Sequence, residues 1–167
     1  VAEKENVHFK NSKEFHADHL VMTRKDKSIL LIKPKTFMNE SGRYLSSILN
    51  YFSCSTTNLI LVHDELTLPF GEVKISKNRG AGGHNGVTSV MSSIGNSFIR
   101  FRLGIGSKPF PQMNLSDFVL SKLSSEECNY LENKKDNFCD ALFSILDNGL
   151  DVTMNLINQT NRSQSTT

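Results

Sequence analysis

Apolar residues along this chain recur at two different periods, and the alternation between them sets the fold class. Phe15 to Met22 and Ser28 to Ile32 are β-rich, and the charged run Arg24-Lys25-Asp26-Lys27 separates them, which predicts a hairpin. Pro34 ends the second strand, and a loop through Thr36, Phe37, Met38 and Asn39 follows. A helix is expected from Ser41, with Tyr44, Leu45, Ile48, Leu49 and Phe52 in one apolar stripe. Asn58 to His63 is a short apolar run after a polar turn. Its length and branching predict a buried strand ending at Asp64 and Glu65.

The second half continues the pattern. Glu72 to Lys77 alternates weakly and reads as a strand, and Val87, Val90, Met91 and Ile94 predict a helix from Asn85 to near Gly95. Phe98 to Ile105 alternates as a strand, with Phe98, Arg100 and Arg102 on one face and Ile99, Phe101 and Leu103 on the other. Ser124-Ser125-Glu126-Glu127 has the composition of a helix N-terminus, and Leu131, Phe138, Leu142, Ile145 and Leu146 carry that helix to Gly149. A last amphipathic turn or two runs through Met154 and Ile157, and the polar stretch Asn158 to Thr167 is expected to be a disordered tail. These elements predict one α/β domain over residues 1–157, with a central mixed, twisted β-sheet flanked by helices.

Composition narrows this only a little. Hydrophobic residues make up 38% and charged residues 22% of the chain, an ordinary globular balance. A net charge of +2 is too small to indicate nucleic acid unless the basic residues cluster. Cys54, Cys128 and Cys139 have no CxxC pairing, which favours free thiols in a reducing, cytoplasmic setting over a disulfide framework or a metal site. No apolar run approaches the roughly 18 residues of a membrane span, so no membrane partner is expected. The chain opens at Val1 without an initiator methionine, which raises the expectation that sequence upstream of it is missing.

Three polar segments interrupt the apolar pattern. Gly80-Ala81-Gly82-Gly83-His84-Asn85-Gly86 is dense enough in glycine to suggest a phosphate cradle. It fails that test: a P-loop needs Gly-Lys-Ser/Thr at its end, and a dinucleotide fingerprint needs glycine where Asn85 stands. A turn leading into a helix explains the glycines equally well. His63-Asp64-Glu65 puts an acidic pair at a strand C-terminus, where open α/β sheets place their sites, although an aspartate there also suits a turn. Phe37-Met38-Asn39-Glu40-Ser41-Gly42 lacks the Gly-x-Ser-x-Gly elbow of a serine nucleophile, and Asn39 suits a loop or cap. Arg100, Arg102 and Lys74 form either a phosphate-contacting patch or a solvated face.

Together the segments say more. Lys33 to Gly42, then Val62-His63-Asp64-Glu65-Leu66-Thr67-Leu68-Pro69-Phe70-Gly71, then the glycine run and Arg100-Phe101-Arg102-Leu103-Gly104-Ile105-Gly106, in this order, closely resemble the bacterial-type peptidyl-tRNA hydrolases. Asp117-Phe118-Val119-Leu120, followed by Leu123 to Glu127, resembles the next block, so the likeness covers about Phe9 to Asn155. The resemblance implies a monomeric, cytoplasmic α/β esterase that needs no metal or cofactor and frees tRNA from peptidyl-tRNA. It implies that Asn39 and Asn85 hold the substrate or attacking water, that Phe37 packs against the peptidyl-tRNA end, and that Asp64 orients a catalytic histidine. His84 becomes a neighbour in the site, and Lys74, Arg100 and Arg102 become phosphate contacts, with Ser76 where the family often has a second basic residue. The family's catalytic histidine belongs to an Arg-His-Asn segment after a Gly-Asn-Pro turn, and neither occurs here, which implies an N-terminally truncated and perhaps inactive form. A non-catalytic RNA-binding relative, similar to organellar splicing factors of this fold, is the other class; the joint presence of Asn39, Asp64 and Asn85 favours the enzyme.

Overall fold

A computed structural model describes residues 1–108 and 110–164. The α/β class holds, but the strands form two three-stranded sheets instead of one central sheet. The chain makes two compact units, Val1–Leu59 with Lys77–Ile99, and Ile60–Ser76 with the chain from Arg100 onward. Because the chain passes between them three times, they are parts of one α/β domain and not successive domains.

The first unit is built on an antiparallel meander, β1 (Lys10–Ser12), β2 (Ala17–Arg24) and β3 (Lys27–Pro34). The β2–β3 hairpin closes through Lys25 and Asp26, with φ of 45° and 64°. Positive φ at both loop residues is what a two-residue turn needs to match the right-handed twist of its strands. Leu20 and Met22 are buried while Val21 and Thr23 face solvent, the period-two pattern of a sheet with one covered face. Helix α1 (Leu45–Tyr51) buries Leu45, Ile48 and Leu49, and Ile48 packs with Phe15 and Ala17, flanked by Leu30, Ile32, Tyr44 and Phe52. The helix begins later than Ser41 because glycine is a poor helix former and Gly42 gives its N–H to the Ser89 hydroxyl at 3.0 Å. Helix α2 (Asn85–Ile94) ends at Gly95, φ 77°, as its apolar spacing predicts.

The second unit holds β4 (Ile60–Glu65), β5 (Val73–Lys77) and β6 (Ile99–Gly104) in the order β4-β6-β5. Hydrogen bonds from Ile99 N–H to Leu59 and from Ile105 N–H to Glu65 advance in the same direction, so β4 and β6 are parallel. Glu72, just before β5, accepts from Gly104 at the end of β6, so β5 runs antiparallel and the sheet is mixed, as expected. After the short helix α3 (Leu115–Val119), helix α4 (Ser125–Asn148) starts with a capping box. Ser124 Oγ accepts from Glu127 N–H and the Glu127 carboxylate accepts from Ser124 N–H, which realises the N-terminal signal in the sequence.

Helix α5 (Leu150–Gln164) overturns the expected disordered tail from Asn158 to Gln164, and residues 165–167 lie outside the described residues. Composition alone misses it because the anchor is a single side chain. The Asn158 amide accepts from Ile75 N–H and donates to Ile75 C=O, both at 3.0 Å, so it pairs the outer edge of β5 as a neighbouring strand does. Thr153, fully buried, bonds to Ser144 and to the Gly149 carbonyl and fastens α5 to the end of α4. Asn158→Ala is therefore expected to lower unfolding stability by about 1–3 kcal/mol in a urea titration. The exposed Asn155→Ala should stay within about 0.5 kcal/mol of the unchanged chain.

Candidate active site

In the first unit, two segments that carry sequence-predicted residues pack together: the short 3-10 turn Met38–Glu40 and helix α2. Two glycines permit it. A Cβ on Gly42 would overlap the Ser89 carbonyl, and one on Gly86 would overlap the Met38 sulfur. The turn is pinned by Ser41, whose N–H and hydroxyl both donate to the Met38 carbonyl, at 3.2 and 2.8 Å. Asn39, in this turn, and Asn85, the first residue of α2, are both exposed. Phe37 is 80% exposed, an open aromatic face ahead of Asn39.

His84 caps α2. Its Nδ1 accepts from Gly86 N–H at 3.1 Å and from Val87 N–H at 3.3 Å, and its carbonyl accepts from Thr88. Those N–H groups are among the helix's unpaired donors, usually met by a Ser, Thr, Asp or Asn side chain. A ring that accepts at Nδ1 carries its proton at Nε2 when neutral, so at Nε2 His84 is a donor and not a base. Gly82 and Gly83 have φ of 63° and 82° with open space where a Cβ would stand. They serve the backbone path into the cap, not the avoidance of a clash.

In the second unit, β6 delivers two arginines to the end of β4. Arg100 Nε donates to His63 Nε2 at 2.9 Å, and His63 Nδ1–H donates to the Asp64 carbonyl at 2.6 Å. Arginine has no acceptor and a carbonyl no donor, so these partners fix the neutral Nδ1–H tautomer of His63. Arg102 donates through Nε and Nη2 to Glu65 Oε2 at 2.9 and 2.8 Å, while Glu65 Oε1 accepts the Thr67 N–H and hydroxyl at 3.1 and 2.8 Å. Burial pushes the Glu65 carboxyl up, but the bonds from Thr67 and from the Arg102 guanidinium outweigh it and hold the group below its ordinary 4.5. Asp64 is half-buried between these two anchored neighbours.

This corrects the expected phosphate patch. Arg100 is 4% exposed and bonded to His63, and Arg102 is committed to Glu65 and Thr67. Arg100 and Phe101, on opposite faces of β6, are both buried, so the strand is covered on both faces and its arginine face is not solvated. Ser76 is buried as well, and Lys74 is half-buried on β5. Lys77 and Arg79, exposed on the stretch leading into the glycine run, are further cations beside the site segments, marked in the sequence only by adjacency to that run.

A family model described as peptidyl-tRNA hydrolase matches residues 1–165. The chain belongs to the peptidyl-tRNA hydrolase family. It is 41% identical over 131 residues to the peptidyl-tRNA hydrolase of Geobacter metallireducens, covering 78% of this chain and 66% of that one. It is 33% identical over 156 residues to that of Lawsonia intracellularis, covering 93% and 78%. The crystal structure of peptidyl-tRNA hydrolase from Acinetobacter baumannii superposes with a TM-score of 0.85 at 27% identity, over 94% of this chain and 80% of that one. The chain thus spans about two thirds of the length of the Geobacter relative.

Among the described residues no helix is long and apolar enough to cross a membrane, and no three His, Cys, Asp or Glu side chains group as a metal site. Within this peptidyl-tRNA hydrolase fold, the Glu65 cluster has a testable consequence for stability. Its folded pKa lies below its unfolded value, so its contribution is complete above about pH 4.5 and is lost as pH falls through the folded pKa. Glu65→Gln should therefore flatten the decline of the urea midpoint between pH 5 and pH 3. An equally steep decline in the variant would show that the cluster does not stabilise the fold.

Proposed function

We propose that the chain hydrolyses the ester between a peptide and the 3′ end of tRNA, acting as a cytoplasmic monomer without metal or cofactor. The observation that carries this reading is that Asn39 and Asn85, both exposed residues, stand on two segments locked together at Gly42 and Gly86. An ester has a good leaving group, so a water deprotonated by an imidazole suffices for attack on its carbonyl. The asparagine N–H groups donate to the oxyanion that forms, each donor contributing about 3 kcal/mol. The Asp64 carboxylate bonds the second nitrogen of the base, fixes its tautomer and stabilises the imidazolium, which then returns the proton to the departing tRNA oxygen. Neither His63, engaged at both nitrogens, nor His84, whose Nδ1 caps α2, offers a lone pair for that role; the family's base belongs to the Arg-His-Asn segment, which does not occur in residues 1–167. His84 Nε2–H and the exposed face of Phe37 contact the acceptor end.

The tRNA backbone is gripped by Lys77 and Arg79, with Lys74 as a further contact. Arg100 and Arg102 act inside the protein instead. Phosphate contacts release counterions, so KM should rise with salt.

Release of free tRNA from an N-blocked aminoacyl-tRNA tests both halves of the proposal. Asp64→Asn should lower kcat by about a hundredfold or more with little change in KM, the signature of a group acting in the transition state. Joint replacement of Lys77 and Arg79 by glutamine should raise KM, leave kcat near its original value, and reduce the log–log salt slope by about one to two. Binding of tRNA without release, by a protein that also carries the Arg-His-Asn segment, would place it with the non-catalytic relatives.

A further inference from the structure

We infer that His63 and Arg100 are positioning residues that hold Asp64 in its catalytic orientation. The inference rests on the role proposed for Asp64 and adds two residues that touch neither substrate nor water.

Successive side chains on β4 point to opposite faces, so His63 and Glu65 share one face and Asp64 takes the other. Val62, on the Asp64 side, is 52% exposed, whereas His63 is buried. A half-buried carboxylate near the end of a strand lacks the packing that fixes a core side chain, so the direction of its Cα–Cβ bond depends on its backbone. Three anchors set that backbone. The His63 ring holds the Asp64 carbonyl at 2.6 Å, Ile105 N–H holds the Glu65 carbonyl at 3.0 Å, and Arg102 with Thr67 holds the Glu65 side chain.

The His63 anchor is the one whose partner chemistry must be exact. Nδ1 can donate to the Asp64 carbonyl only if the ring proton stays there, and Arg100 enforces this by donating to Nε2. Arg100 is a buried cation with a fixed planar fork, so the ring has one orientation and one tautomer. A lysine at this position still donates to Nε2, but as a point charge without that planarity. The relay runs from Arg100 through His63 to the peptide group that orients Asp64. Misplacing a catalytic group by about 1 Å can slow a reaction by about a hundredfold, so a purely geometric relay has a measurable effect on turnover.

A double-mutant cycle on the full chain tests the inference. His63→Leu keeps an apolar side chain in the buried position and removes both hydrogen bonds. It should lower kcat for N-blocked aminoacyl-tRNA by about tenfold or more with KM within about twofold. In an Asp64→Asn background the same change should cost less than about threefold, because the group it positions is already disabled. His63→Asn, whose amide still donates to the Asp64 carbonyl, should recover part of the lost turnover, and Arg100→Lys should fall between it and the unchanged chain. Nitrogen-15 spectra of the imidazole should show His63 protonated at Nδ1 and not at Nε2. Full turnover by His63→Leu, equal losses in both backgrounds, or a His63 proton on Nε2 would each overturn the inference. If His63→Leu does not fold, His63→Asn and Arg100→Lys carry the same cycle. Should Asp64→Asn itself turn over normally, the role given to Asp64 fails and this inference falls with it; normal turnover by His63→Leu alone overturns only the positioning.

Discussion

The end of β4 depends on two arginines delivered by β6. Arg100 meets His63 and Arg102 meets Glu65, so the residues on both sides of Asp64 are held by charge-assisted hydrogen bonds. A buried guanidinium is destabilising unless its donors are met, and removing one member of such a pair leaves an uncompensated group. The pairs therefore fix one conformation of the strand end, and the Arg102–Glu65 pair also stabilises the fold while Glu65 is ionised. Glu65 makes the point: burial works against its ionisation, and the bonds from Thr67 and Arg102 must outweigh that.

In the first unit the corresponding constraint is steric. The Met38–Glu40 turn and α2 meet as closely as they do because Gly42 and Gly86 carry no Cβ. Any side chain at Gly42 would meet backbone, which cannot swing aside. The His84 cap then fixes where α2 starts, and with it the position of Asn85. The glycine run thus has two different functions: Gly86 gives close approach to Met38, while Gly82 and Gly83 supply backbone angles in open space.

Much of this was legible in the sequence, for identifiable reasons. The β2–β3 hairpin is written in its alternation and its charged turn, and α4 in Ser124 and Glu127, because both rest on local rules. The segments around Asn39, Asp64 and Asn85 were found by their joint likeness to a family, and geometry assigns His84 its cap beyond that. What failed depended on distant partners. The strand pattern of β6 put Arg100 and Arg102 on one face correctly, but nothing local says that His63 and Glu65 wait there. The polar stretch after Asn158 looked unfit for packing, yet one amide bridging Ile75 anchors it as helix. Periodicity likewise could not separate one central sheet from two three-stranded ones, since pairing is non-local.

The central claim is that this chain applies amide donors to an ester oxyanion. The most direct measurement compares single-turnover cleavage of N-blocked aminoacyl-tRNA with binding of an amide-linked analogue that resists cleavage, in Asn39→Ala, Asn85→Ala and the double variant. The account predicts that cleavage falls by about a hundredfold or more in at least one single variant while the analogue binds within a few-fold of the unchanged chain. Cleavage that persists in the double variant, or that falls only in proportion to lost binding, would contradict it.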